Sequence, residues 1–476
     1  MKSVFSWSRT WRERIALVTL TAMMAAGCVG GTPSGSDSVL PAASPTAGAS
    51  ASVAPVAAPT GAPTAAPTAA PTAAPTAATD PLPSVPPAPS GTWKGIHWTA
   101  LSATPAIGIQ SDPSAGSTFQ VFGWSRGYVG FAITPSESGV DQSTGQIVYP
   151  EPTVVSSYSA DGLHWHVGQE LDLVAAGSQY LQEIRSVIEG PAGLLAVGWS
   201  AACGSEFLDS LWTSSDGISW HPVDVSKVFG AVGAGITHVS GGAAGYVAVA
   251  YNGAGVWTSK DGSGWQPVAL NTGPFEDALV NDGTTLTGGF VLAGTAGTRD
   301  CAVTVTDGST PAPVFKTASV WWSADSSGWT RVSLPGAVAR SDYQDIWVAR
   351  LSDGAMLVVD DVWATGHRSA WASKDGRTWA VANLPQDVGQ PDIVSGVQQN
   401  LVVEPARGPD MLGDLRLHTF DDSFALVSVG QSGAVPQLVY PSGGMGRYGL
   451  VALGPTGVVV TNADGSQIWF GTPSAK

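Results

Sequence analysis

Four stretches of the chain share one alternation of apolar and polar positions: "GPAGLLAVGWS" from residue 190, "GGAAGYVAVAYN" from 241, "LTGGFVLAGTA" from 286 and "LSDGAMLVVDDV" from 351. Each opens on a glycine-bearing turn and continues with Val, Leu or aromatic residues at alternate places, the period of a half-buried strand. A polar run follows each of them: "WTSSDGISWHPV" at 212–223, "WTSKDGSGWQPV" at 257–268, "WSADSSGWTRV" at 322–332 and "WASKDGRTWAV" at 371–381, with an earlier copy, "YSADGLHWHV", at 158–167. Asp-Gly between two strand-like runs predicts a hairpin whose glycine takes a positive φ. Each unit is therefore predicted to be a small antiparallel meander. Within the turn, the Ser and Asp can accept hydrogen bonds from exposed amides, and the Trp can fold back over the hairpin and bury its ring.

The closing tryptophans Trp165, Trp220, Trp265, Trp329 and Trp379 stand 55, 45, 64 and 50 residues apart. A strand-rich period near fifty is the signature of a propeller array. A weaker copy, "VTNADGSQIWF", lies at 460–470. Residues 388–430 carry strand patterns without the polar run, and 433–472 form a further unit ending in Trp469. The fold class is then all-β: a β-propeller of seven blades, with six or eight as the alternatives. "GTWKGIHWTAL", from residue 91, reads as the tail of a unit without its head, so it can supply a strand to the last blade and close the ring. Closure matters because an open ring leaves strand edges exposed to aggregation.

Composition divides the chain near residue 90. Residues 1–27 begin with Lys2, Arg9, Arg12 and Arg14 and continue into "IALVTLTAMMAA", too short to span a bilayer comfortably and readable as a signal-peptide core. The "AAGC" that follows resembles the lipobox of bacterial lipoproteins, which implies lipidation of Cys28; an ordinary secretory cleavage stays open. Residues 28–90 are rich in Ala, Pro and Thr with almost no charge, and such a segment is expected to stay unfolded as a tether. Residues 91–476 carry 34 of the 37 acidic and 17 of the 21 basic residues. So acidic a domain repels phosphate backbones, which argues against nucleic acid as a partner. The expected setting is extracytoplasmic, with contact to the bacterial membrane only through the lipid anchor.

The repeated run resembles the Asp-box, or bacterial neuraminidase repeat, of sialidase-like β-propellers, which reads SxDxGxTW; here Ser259, Asp261, Gly262 and Trp265 are spaced one residue tighter between Asp and Trp. In that family the box sits at the hairpin between a blade's third and outermost strands, away from the active site. The resemblance implies a structural role for Asp161, Trp165, Asp216, Trp220, Asp261, Trp265, Asp325, Trp329, Asp375 and Trp379.

The chemistry-bearing residues left over are few. Cys203 and Cys301 lie in long connections of alternate units, close enough in extended reach for a disulfide across the intervening blade; two separate thiols are the other reading. Glu183, Asp277, Asp345 and Asp392 recur near the start of each unit's first strand, with Gly235 at that point of the third unit, and could face one axis near the channel mouth as a ligand site. Alternatively each caps the turn into its own blade. A glycosidase needs two carboxylates a few ångströms apart, and no spacing singles out such a pair. A sialidase would also need convergent arginines and a Tyr–Glu pair, for which Arg185 with Glu183, and Tyr343 between Asp342 and Asp345, are the nearest fragments. His164 and His166 are expected on one face of a strand without a third metal ligand, so no metal and no cofactor is expected. The sequence reading is a monomeric, non-enzymatic binding or scaffold module for an extracellular protein, glycan or wall polymer; the alternative is an extracellular glycoside hydrolase.

Overall fold

The computed structural model describes residues 93–102, 117–135, 139–140, 147–148, 152–173, 181–201, 207–229, 236–250, 253, 255–297, 316–339, 344–352, 354–361, 368–383, 392–395, 400–404, 412–420, 426–439, 450–462, 465 and 467–474. The chain divides into two units, Met1–Leu82 and Pro83–Lys476. All described residues belong to the second, so the expectations for the signal segment, Cys28 and the tether, and those for Cys203, Cys301, Gly235 and Tyr343, lie outside them.

The described fold is all-β apart from short helical turns such as Val225–Phe229. Its strands form six four-stranded sheets, one five-stranded sheet and two short two-stranded pairs. The third sheet shows the plan. Ile236–Gly242, Gly245–Ala250, Val256–Ser259 and Trp265–Pro267 pair antiparallel in chain order, each turning directly into the next. The second strand is buried at every position, because it has a strand on each edge and a neighbouring sheet on each face.

The first strands of the sheets make a circuit. In order they are Thr118–Trp124, Leu181–Gly190, Ile236–Gly242, Ala278–Leu286, Gln344–Leu351, Asp392–Ser395 and Val451–Leu453. Each touches the next, and the last touches the first. These strands are therefore innermost, and the apolar core lies as wedges between successive sheets. One wedge joins Leu195, Val197 and Leu211 of the second sheet to Val239, Tyr246, Ala248 and Trp265 of the third; another joins Leu286, Val291 and Val320 of the fourth to Ile346, Val348 and Trp371 of the fifth.

The circuit is completed by the strand from the other end of the described chain. Gly95–Ser102 pairs antiparallel with Gln467–Pro473, from Ile96↔Pro473 to Ser102↔Gln467, and so supplies the outer strand of the seventh sheet. Gly430–Gly433 adds a parallel strand on its far edge, fastened where Trp98 Nε1 donates to Gln431 Oε1 at 2.9 Å.

This arrangement corrects the reading of "VTNADGSQIWF". The run spans the connection from the second to the third strand of the seventh sheet, not from the third to the fourth, because the fourth strand comes from the far N-terminal side. Its turn is closed by backbone groups, Gly465 N donating to Asn462 O and Asn462 N to Gln467 O. Trp469 faces Val460, as Trp212 faces Ala196, Trp257 faces Ala248, Trp321 faces Leu292 and Trp371 faces Leu357. It is thus a third-strand tryptophan, not a box-closing one.

Candidate binding channel

The repeated polar runs build turns. In the third sheet, Asp261 Oδ1 accepts from Ser263 N at 2.9 Å, Gly264 N at 2.7 Å and Ser259 Oγ at 3.1 Å. Gly262, at φ +79°, donates its N–H to Ser259 Oγ at 2.9 Å, and Trp265 Nε1 donates to Gly262 O at 2.8 Å. The amides of Gly264 and then Ser263 hold the Asp261 carboxyl down at about 2. The pattern recurs around Asp161, Asp216 and Asp375. In the fourth sheet Ser326 replaces the glycine and still takes a φ of +67°. Trp220 differs: its ring packs edge-on against Phe131, while its Nε1 has no hydrogen-bond partner among the described residues. The Ser and Asp acceptors are occupied by their own turns, which leaves the channel as the place to look for chemistry.

His164 and His166 are not placed together on a strand. His164 lies in the first turn, where its Nδ1 meets Asp161 Oδ2 at 2.8 Å, and His166 opens the strand that follows. The turn intervenes because Asp161 draws residues 163 and 164 round itself. Among the described residues no group of three or more His, Cys, Asp or Glu is arranged to hold a metal ion.

The channel wall has three levels. At the end of the inner hairpins, Arg350 of the fifth sheet donates from Nη1 to Gly241 O of the third at 2.7 Å. The fourth sheet stands between those two, so the guanidinium reaches over the end of its innermost strand. Burial pulls the Arg350 guanidinium down from its usual range, and the charge of Glu189 in the second sheet opposes that shift. Glu189 in turn accepts from Ser125 N, of the first sheet, at 2.9 Å and from Ser125 Oγ. Polar groups from four sheets thus bridge this end.

At the middle level, side chains tie the innermost strand of the first sheet to that of the second, the third to the fourth and the fourth to the fifth. Gln120 donates to Ile184 O at 2.9 Å and accepts from Ile184 N at 2.8 Å. Asp282 accepts from Val348 N at 2.9 Å and lies 3.4 Å from His238 Nε2. Ser240 and Thr284 meet at 2.9 Å below that pair. Here three successive innermost strands carry a β-bulge at one register, between Ile184 and Ser186, Ile236 and His238, and Val280 and Asp282. The residues set out of the ladder are Arg185, Thr237 and Asn281. Bulges re-aim side chains and are common beside binding sites.

At the far end, the predicted carboxylates fall at different positions along their strands. Glu183 and Asp345 stand at the same rung counted from their inner hairpins, Gly190↔Gly193 and Leu351↔Gly354. Glu183 is buried, with its Oε1 3.7 Å from Arg185 Nε. Leu279 occupies that rung in the fourth sheet. Asp277 comes before the strand begins, exposed in a turn at φ +56°, and so is corrected from strand wall to rim. Asp392 opens the short innermost strand of the sixth sheet. Sequence reasoning missed Gln120, His238, Asp282, Glu189 and Arg350. Their signal was a polar residue inside an otherwise apolar first strand, weak in one unit and visible only once the units are aligned from their hairpins.

No family model matches the chain, and no curated protein matches it. Among solved structures it is similar to the fucose-specific lectin from Aleuria aurantia, with 13% identity over 69% of this chain and 97% of that one at a TM-score of 0.31. It is also similar to the phage phi92 endosialidase, with 11% identity, 81% and 70% coverage and a TM-score of 0.36. A beta-xylosidase/alpha-arabinofuranosidase from a compost microbial metagenome matches at 8% identity, 70% and 97% coverage and a TM-score of 0.30. Scores this low leave the architecture resting on the strand pairing itself.

Proposed function

We propose that the chain is a seven-bladed, sialidase-like β-propeller that serves as a non-enzymatic binding or scaffold module at the cell surface, tethered through a lipidated Cys28. The observation that supports it best is the channel: seven innermost strands in a closed circuit, one end bridged by Arg350 and the other rimmed by Glu183 and the strand carrying Asp345. Rigid rings of this kind present a fixed set of polar groups at low ordering cost, which suits binding. The box residues support the frame and leave the ligand to the channel. A Cys203–Cys301 bridge belongs to the same reading, as a clasp between two long connections of an exported protein.

The test uses the full chain, extracted with its anchor, on an array of glycans and peptides, with released sugar assayed in the same wells. Binding without release, weakened at least tenfold by Glu183→Gln together with Asp345→Asn, is the expected result. Released sugar would establish the glycoside hydrolase alternative instead. Cys28→Ser should move the protein from the membrane fraction to the soluble fraction; an unchanged distribution would remove the anchor from the proposal.

A further inference from the structure

Gly95–Ser102 lies in a slot with two walls. Gln467–Pro473 forms the antiparallel wall, from Ile96↔Pro473 to Ser102↔Gln467, and Gly430–Gly433 the parallel one, from Gly95↔Gly430 to Trp98↔Gly433. Each wall is also held from elsewhere in the ring. Gln467–Pro473 pairs on its other edge with Val458–Thr461. Val429 N donates to Leu417 O at 2.9 Å and Gln431 Nε2 donates to Leu415 O, which ties the parallel wall to the sixth sheet. The slot is shaped to one sequence. Ile96 and Trp98, on either side of the exposed His97, are each 1% exposed and share a core with Leu417, Val429, Val458 and Trp469. Gly471 makes room for them: an added Cβ there would lie 2.6 Å from Ile96 Cγ2 and 2.7 Å from Trp98 Cζ3. The Trp98 indole N–H is met by Gln431 Oε1 at 2.9 Å, and Ala434 N donates to Trp98 O at 3.1 Å.

These contacts recognise the strand by its side chains and by both backbone edges, and none of them depends on which chain the strand comes from. Its onward link to the first sheet is residues 103–117, whose extended reach is at most roughly 50 Å. A closing strand drawn from the same chain and one drawn from a neighbour make the same pairings, so local concentration decides between them. Exchange of an identical element between protomers is a low-cost route to dimers. A strand on a short flexible link competes at an effective concentration on the order of millimolar. Copies crowded into that range compete on equal terms.

We propose that this slot also takes the Gly95–Ser102 strand of a second copy, so that two chains exchange closing strands and each completes the other's seventh sheet. The slot is separate from the channel, and neither outcome of the array experiment bears on it. The test uses two populations of the full-length protein, one carrying His97→Cys and the other Thr472→Cys, positions that are partners in the register and both exposed. Mixed and gently oxidised, positions 97 and 472 can be joined only when the strand of one chain lies in the slot of the other. Peptide mass spectrometry should find that link, rising as total protein is taken from micromolar to millimolar. An excess of free peptide covering residues 91–102 should reduce it at least tenfold, and the same peptide with Trp98→Ala should not. A chain carrying both substitutions should link within itself at low concentration, which checks the register. Linking within the doubly substituted chain with none between the mixed chains at millimolar protein overturns the exchange. Dimers joined only at other positions, or a 97–472 link indifferent to the native peptide, overturn it as well. Failure of the doubly substituted chain to link would overturn the register on which the exchange stands.

Discussion

Asp261 shows how much of this molecule is decided by single side chains. Its carboxylate satisfies the amides of Ser263 and Gly264 in the turn, and those amides hold it ionised. The folded carboxyl lies at about 2, below the roughly 3.9 of an unfolded aspartate, so the stabilisation is present above pH ~4 and is lost as pH falls toward 2. The urea midpoint should therefore drop through that window, and Asp261→Asn, which keeps the acceptor and loses the charge, should drop less steeply. Tyr246 acts in the opposite direction. Burial, then the charges of Glu189 and Asp261, push its phenol up to about 12, and its hydroxyl donates to Gly193 O at 2.9 Å. Its contribution is complete below pH ~10 and is lost as pH rises toward the folded value. A flatter alkaline limb in Tyr246→Phe, followed by urea midpoints from pH 9 to 12, is the expected outcome.

The element scale explains why glycine opens the second strands. At Gly127, Gly193, Gly245 and Gly289 the backbone takes φ between 120° and 154°, and an added Cβ would lie 2.2–2.3 Å from the carbonyl oxygen of the box serine opposite, Ser159, Ser214, Ser259 or Ser323. The inner hairpin and the box turn are thus pressed together at one end of the sheet. Gly193→Ala should cost at least about 1–3 kcal/mol, from backbone strain before any displacement of Ser214, measured by urea unfolding. Trp265→Ala should cost about 3–5 kcal/mol, since the ring is 7% exposed and packs against Phe229 and Tyr246. These features were legible in the sequence because each recurs: a weak local signal repeated in register becomes a strong one. The bulges were not legible. Nothing in "QEIRSV" or "ALVNDG" marks which residue leaves the ladder, because the register is set by the strand alongside. The final unit was misread for a related reason, since an isolated "NADG" is locally indistinguishable from a box turn and only the origin of the fourth strand tells them apart.

At the scale of the whole molecule, the ring depends on a strand drawn from the far side of the chain. The apolar N-terminal run "GTWKGIHWTAL" was readable as that strand, and the structure pairs it as expected. The polar collar of the channel was not, because its members come from different units and acquire meaning only when the first strands of those units lie side by side. Deleting residues 91–102 should leave the Gln467–Pro473 edge unpaired and convert a monodisperse protein into aggregates on size-exclusion chromatography. A monodisperse deletion variant would mean that the adjoining Gly430–Gly433 strand can take its place.

The closing strand has a mechanical consequence. If Cys28 sits in the membrane, any pull between the anchor and a partner held in the channel enters the folded ring at Gly95. The strand would be drawn lengthwise while held on both flanks, antiparallel by Gln467–Pro473 and in parallel by Gly430–Gly433. Traction along a strand strains all its rungs at once instead of peeling them one after another. Gly95–Ser102 would thereby be the joint that sets how much force the ring withstands before it opens.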